Sequence, residues 1–134
     1  MENGAGRQPI LSYTDLRVWQ DGMAIAEACY LLTKKFPKDE LYGMTSQIRR
    51  AAASIPANIA EGGGRENQGS MVQFLRVAQG SLKELETHLL LSVRVGLITQ
   101  SAVNPVLSQC EREGKQLRAL IRSIQSKQSS TTRV

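Results

Sequence analysis

The stretch Thr45 to Arg65, TSQIRRAAASIPANIAEGGGR, decides the fold. Its first half, Gln47-Ile48-Arg49-Arg50 and three alanines, is built from strong helix formers. Ser54-Ile55-Pro56 interrupts it, Asn58-Ile59-Ala60-Glu61 resumes it, and Gly62-Gly63-Gly64 closes it. Leu41, Met44, Ile48, Ala52, Ile55 and Ile59 fall within an arc of about 80° at 100° per residue. A polar stripe, Arg50, Ser54, Asn58, Glu61 and Arg65, lies about 120° around from it. Pro56 removes the hydrogen bond to the Ala52 carbonyl and crowds it, an intrinsic cost of roughly 3 kcal/mol. The apolar stripe nevertheless keeps phase from Ile48 to Ile59. The reading is therefore one helix kinked at Pro56, not two helices.

The neighbours of this stretch have the same period. Upstream, Asp15 is placed to cap a helix with two parallel stripes: Leu16, Trp19, Met23, Ala26, Tyr30, and Val18, Gly22, Ile25, Cys29, Leu32, Phe36. Both are read as core-facing. Phe36-Pro37 stops this helix, and Asp39 is placed to cap the next. Downstream, Asn67 or Ser70 caps a third helix carrying Met71, Phe74, Leu75, Ala78, Leu82, Leu85 and Leu89, and Gly96 terminates it. A fourth follows with Val103, Val106, Cys110, Gly114, Leu117, Ile121 and Ile124, and Pro105 in its first turn. No strand signal or internal repeat appears. The fold class expected is all-α: an antiparallel up-down-up-down four-helix bundle with a proline-kinked second helix. Residues 14–125 form the bundle domain. Residues 1–13 are expected to be a flexible tail, and residues 126–134, rich in Ser, Thr and Gln, a disordered one.

Composition narrows function mainly by exclusion. The 134 residues amount to one domain. The charge is +5, with most of the excess after Gln100. That balance permits contact with nucleic acid or an anionic surface. Cys29 and Cys110 fall on apolar stripes and read as small core hydrophobes. His88 is the single histidine and has Glu84 at i−4, so a helix-surface pair is expected, not a general base. A di-metal carboxylate bundle needs Glu-x-x-His pairs, and Leu85 occupies i−3 from His88. The triple glycine lacks the Lys-Ser or Lys-Thr and the preceding strand of a phosphate loop, and reads as a helix terminator. No catalytic, metal or cofactor-binding residues are assigned, and no enzyme activity is expected. Nothing resembles a signal peptide or a membrane span, so a cytoplasmic location with no membrane partner is expected.

Several motifs together resemble a known family. They are Asp15-Leu16-x-Val18-Trp19; Phe36-Pro37-x-x-Glu40-Leu41-Tyr42-Gly43; Ser46-Gln47-Ile48-Arg49-Arg50-Ala51; Ser54-Ile55-Pro56-Ala57-Asn58-Ile59-Ala60-Glu61-Gly62; Arg65; and Gly80-Ser81-Leu82-x-Glu84. The pattern looks like the bacterial four helix bundle protein family, also called the ribosomal intervening-sequence protein family, over about residues 14 to 124. The resemblance implies an antiparallel bundle that assembles into a ring-like homopentamer. A related branch serves diversity-generating retroelements, as a basic pentamer that binds a reverse transcriptase and its RNA or DNA. The function expected is thus a non-enzymatic homo-oligomer that binds nucleic acid or assists an enzyme such as a reverse transcriptase. The alternative is a structural or protein-interaction module with no nucleic-acid role. Candidate phosphate contacts are Arg49, Arg50, Arg65, Arg76, Lys83 and Arg94. Candidate polar interface residues are Arg50, Ser54, Asn58, Glu61, Arg65, Ser81 and Glu84. This polar side is expected to be partly covered by a neighbouring subunit or by the Ser81–Glu84 flank of the third helix.

Overall fold

The computed structural model describes residues 12–132, in four α-helices: α1 (Arg17–Thr33), α2 (Met44–Gly63), α3 (Gln68–Arg94) and α4 (Gln100–Thr132). No strand occurs among the described residues. The helices pack in chain order around a closed square, α1 on α2, α2 on α3, α3 on α4 and α4 on α1. The α2–α3 seam is the most extensive and the α1–α4 seam the thinnest. This is the antiparallel up-down-up-down bundle that short connections between amphipathic helices dictate.

The core is a continuous apolar column drawn from all four helices. Ile25, Ile48, Ile55, Leu75, Leu85 and Leu117 are among its wholly inaccessible members. On α1 the stripe Val18, Gly22, Ile25, Cys29 faces inward. The parallel stripe is divided: Leu16, Trp19 and Ala26 are partly buried against the core, Trp19 edge-on to Tyr13 with ring centroids 5.6 Å apart, whereas Met23 and Tyr30 are exposed. The second stripe of α1 thus borders the core, and its outer members, Met23 and Tyr30, stand on the surface.

α2 is a single helix with Pro56 inside it. Pro56 is buried and packs beside Gly22 of α1. Two of the three glycines are not terminators: Gly62 and Gly63 lie within α2, and Gly64 is its C-cap. Gly62 is buried where α2 meets α3, and a Cβ there would stand 3.1 Å from both the Met71 carbonyl oxygen and the Phe74 Cβ. Its role is close approach of two helices.

The helix ends refine the sequence reading. Asp15 does not cap α1; it lies in a 3-10 turn, Tyr13–Asp15, capped by the Ser12 hydroxyl, and Leu16 is the N-cap of α1. Asp39 belongs to another short 3-10 turn, Lys38–Glu40. The Glu40 carboxylate instead accepts the Met44 N–H at 3.0 Å, at the start of α2. Asn67 caps α3, accepting from the Ser70 N–H at 2.9 Å. Gly96, at φ 83°, ends α3: its N–H goes to the Val93 carbonyl and that of Leu97 to the Ser92 carbonyl. This is a Schellman closure, which favours glycine at the left-handed position. Thr99 accepts from the Ala102 N–H at the start of α4, and Pro105 lies in the second turn of α4, not its first.

Of the expected flexible segment at 1–13, residues 1–11 lie outside the described residues. Ser12 and Tyr13 belong to the capped turn that leads into α1. At the other end α4 continues to Thr132, past the point where disorder is expected. Once nucleated, a helix gains one hydrogen bond for each residue added, and the run after Gln125 contains no Gly or Pro to stop it. Residues 133 and 134 lie outside the described residues.

Candidate nucleic-acid interface

The six basic candidates fall on separate parts of the surface. Arg49 and Arg50 share the outer α1–α2 groove, a hollow of about 410 Å³ lined also by Tyr30, Leu41, Tyr42 and Ser46. Arg49 is held in place there. Its guanidinium lies over the Tyr30 ring, 4.6 Å from the centroid. Its Nε donates to the Thr33 hydroxyl at 2.9 Å, and that hydroxyl in turn donates to the Cys29 carbonyl. A guanidinium has five N–H donors, so the Nη hydrogens remain for a further acceptor. Arg50 is exposed, and Tyr42 is 94% exposed. The loop from Lys34 to Gly43 carries Tyr42 and sets it beside the first turns of α2.

Arg76 and Lys83 lie on the opposite side of the square, in the α3–α4 groove with Gln79, Gly80 and Arg118. Lys83 pairs with Glu86 at 3.1 Å. Arg65 belongs to neither groove; it pairs with Glu61 at 2.8 Å and lies over the Phe74 ring. Arg94 is exposed in the last turn of α3, where a positive charge complements the helix dipole.

The polar stripe of α2 divides. Its middle is half-buried against α3, where the Ser54 and Ser81 hydroxyls meet at 2.7 Å. Asn58 donates to the Ser54 carbonyl and hydroxyl at 2.8 and 3.0 Å. These contacts form within one chain. Its ends, Arg50, Glu61 and Arg65, are exposed. Glu84 does not reach the stripe; it is exposed and faces His88, 3.4 Å away.

Four residues of interest escaped the sequence reading. Tyr30 falls on a core-facing stripe by its spacing alone. Tyr42 lies in a loop, outside any periodic pattern. Arg118 comes beside Arg76 and Lys83 only through the α3–α4 packing. Glu113, one of the charged residues of α4, is buried. It did carry a signal: Val103, Val106, Cys110, Glu113 and Leu117 step by three, four, three and four, which places residue 113 on the inward seam.

Among the described residues no group of three or more His, Cys, Asp or Glu side chains is placed to hold a metal ion. Comparison with family models matches residues 14–119 to the 23S rRNA-intervening sequence protein family. The chain belongs to that family. Among solved structures it is similar to a protein of unknown function from the S23 ribosomal protein family of Bacteroides thetaiotaomicron, with a TM-score of 0.70 and 23% identity, covering 78% of this chain and 97% of that one. That likeness bears on the fold. A search of curated proteins returned no match. No helix among the described residues is long and apolar enough to cross a membrane.

Proposed function

We propose that this chain is a non-enzymatic, homo-oligomeric bundle that binds single-stranded nucleic acid through its α1–α2 groove. The observation that carries this reading is the pairing of aromatic and basic side chains there. Tyr42 offers an exposed ring, Tyr30 a ring already faced by a guanidinium, and Arg49 and Arg50 the positive charge. Unpaired bases stack on such rings while the backbone phosphates follow the cations. The family's description, which refers to an insert in 23S rRNA, is in keeping with an RNA partner. An accessory role beside an enzyme that handles RNA or DNA, such as a reverse transcriptase, would use the same surface.

Support for self-association comes from the apolar side chains left outside the core. Leu31, Leu90 and Val95 are 56%, 47% and 61% exposed. A ring of five copies, the assembly that the family resemblance implies, would cover part of this surface.

The test is fluorescence anisotropy with short single-stranded RNA and DNA, run beside light scattering. Affinity falls steeply with added salt. Tyr42→Ala weakens it by a factor equivalent to about 1–3 kcal/mol, and Arg50→Ala lowers both affinity and the salt slope. Absence of binding at low ionic strength, or binding unchanged in both variants, rejects the groove. Loss of binding on replacing Arg76 and Arg118 instead moves the site to the α3–α4 side. A monomer at micromolar concentration rejects the oligomer and leaves the bundle as a simple interaction module.

A further inference from the structure

Gly80 of α3 and Gly114 of α4 line one hollow of about 430 Å³ in the α3–α4 groove. Both lie inside helices, where glycine is among the poorest helix formers. At Gly114, which is buried, a Cβ would stand 3.5 Å from the Leu82 Cδ2 and 3.7 Å from the Arg118 Nη1. At Gly80, which is exposed, no described atom lies within 4 Å of the added carbon. No contact within the chain accounts for the missing side chain there. The space it leaves opens outward, over a floor made by buried Leu82 and the Gly114 backbone.

Three cations stand around this hollow. Arg76, Gly80 and Lys83 step by four and three, so one cation lies a turn before the glycine and one a turn after it along α3. Arg118 comes from α4, and its guanidinium reaches back towards Gly114. All three are exposed. No ion pair holds Arg76 or Arg118 among the described residues. Lys83 pairs with Glu86 at 3.1 Å, and an ammonium has donors left for a second carboxylate. The lining includes no aromatic ring, so unpaired bases find no stacking surface here. A lone inorganic anion would leave the apolar floor uncovered.

We propose that this groove docks an acidic helix of a partner protein. An apolar side chain of the partner enters over Gly80 and Gly114 onto Leu82. Carboxylates one turn to either side of it meet Arg76 and Lys83, and Arg118 faces them from the α4 wall. The spacing decides for a helix. Arg76 and Lys83 are seven residues apart, about 10.5 Å along the axis at 1.5 Å per residue. A helix lying along the groove repeats that spacing, with acidic residues seven apart and an apolar residue between them on one face. A strand does not, since its same-face side chains recur at about 6.6 or 13 Å. A second copy of this chain lacks the complement, because none of its helices carries two acidic residues seven apart. The groove lies across the square from the α1–α2 groove, so it stands or falls independently of nucleic-acid binding there.

The experiment is fluorescence anisotropy of a labelled synthetic peptide titrated with the full chain. The peptide is an alanine-based helix with two glutamates seven residues apart and a leucine between them, four residues after the first. It binds saturably, one per chain, and added salt weakens it. Moving the glutamates to five residues apart, or replacing the leucine with serine, weakens binding about tenfold. Lys83→Glu lowers affinity by a similar factor, and a peptide carrying lysine in place of one glutamate recovers it. Gly80→Gln fills the hollow from a position with room for the new side chain, so the unfolding midpoint holds while peptide binding is lost. The docking surface is overturned by no saturable binding at low ionic strength, by equal binding of the respaced peptide, or by a Gly80→Gln chain that binds unchanged. It is equally overturned by single-stranded RNA that displaces the peptide competitively, which would make the groove a track for phosphates. Should Gly80→Gln not fold, the charge swap at Lys83 decides alone, and failure of the lysine-bearing peptide to recover affinity overturns the proposal.

Discussion

The hydroxyls of Ser54 on α2 and Ser81 on α3 meet at 2.7 Å, in the most extensive helix seam of the bundle. Asn58 joins them by donating to Ser54, so a polar link crosses an otherwise apolar interface. Ser54→Ala removes the Ser81 partner and one of the two Asn58 acceptors. A loss of about 1–2 kcal/mol is expected in urea unfolding. The Ser54→Ala/Ser81→Ala double variant should lose less than the sum of the two single changes, with a coupling of about 0.5–1 kcal/mol. Strict additivity would mean that the contact contributes nothing.

Glu113 should make stability depend on pH. Burial beside Gly22, whose added Cβ would stand 3.2 Å from the Glu113 Oε2, and then the negative charge of Asp21 push its folded carboxyl up to about 8, against an ordinary 4.5. Between those values the folded chain holds a proton that the unfolded chain has released. The contribution is therefore fully present below about pH 4.5 and is lost as pH rises through 8. The steepest slope is about 1.4 kcal/mol per pH unit. Subtracting the curve of Glu113→Gln from that of the parent chain isolates this term. A difference curve flat from pH 5 to 8 would show that the carboxyl is not held in its neutral form.

Two glycines in helices should respond oppositely to alanine. At Gly62 a Cβ meets the Met71 carbonyl and the Phe74 Cβ at 3.1 Å each, and the carbonyl belongs to backbone that cannot yield without moving α3. Gly62→Ala should destabilise by about 1–3 kcal/mol. At Gly80, in the interior of α3, nothing lies within 4 Å of the added carbon. Gly80→Ala should stabilise by about 0.5–1 kcal/mol, because alanine loses less backbone entropy on entering a helix. Chemical denaturation of both variants checks the pair.

Cys29 and Cys110 are both free and buried, and burial pushes each thiol up to about 12. The thiolate is the reactive form, so neither should react with iodoacetamide in the folded chain at pH 8. Both should react once the chain is unfolded in denaturant. Fast labelling of the native protein would place one of them outside the core.

The architecture was legible because it depends on local periodicity. The inward stripes of α2, α3 and α4, the Asn67 cap and the Gly96 stop follow from the 3.6-residue turn and from backbone hydrogen bonding, both properties of neighbours in the chain. Periodicity identifies an apolar face without saying how much of it the neighbours will cover, so Tyr30 and Met23 read as core and stand on the surface. The glycines after Glu61 fit a terminator by composition. Only the approach of α3 shows that Gly62 is there for lack of a side chain.

The candidate site was legible residue by residue and not as an arrangement. Charge marked Arg49, Arg50, Arg76 and Lys83. Their division between opposite grooves, and the company of Tyr30, Tyr42 and Arg118, depend on how the helices are set around the square. The sequence by itself determined four amphipathic helices, their order and both ends of α3, because helical phase is written in near neighbours. Tertiary structure alone decided that Ser54 faces Ser81, that Tyr42 stands free beside two arginines, and that Glu113 is sealed against Gly22. Those contacts join residues far apart in the chain, and their energies depend on what water each helix excludes from the next.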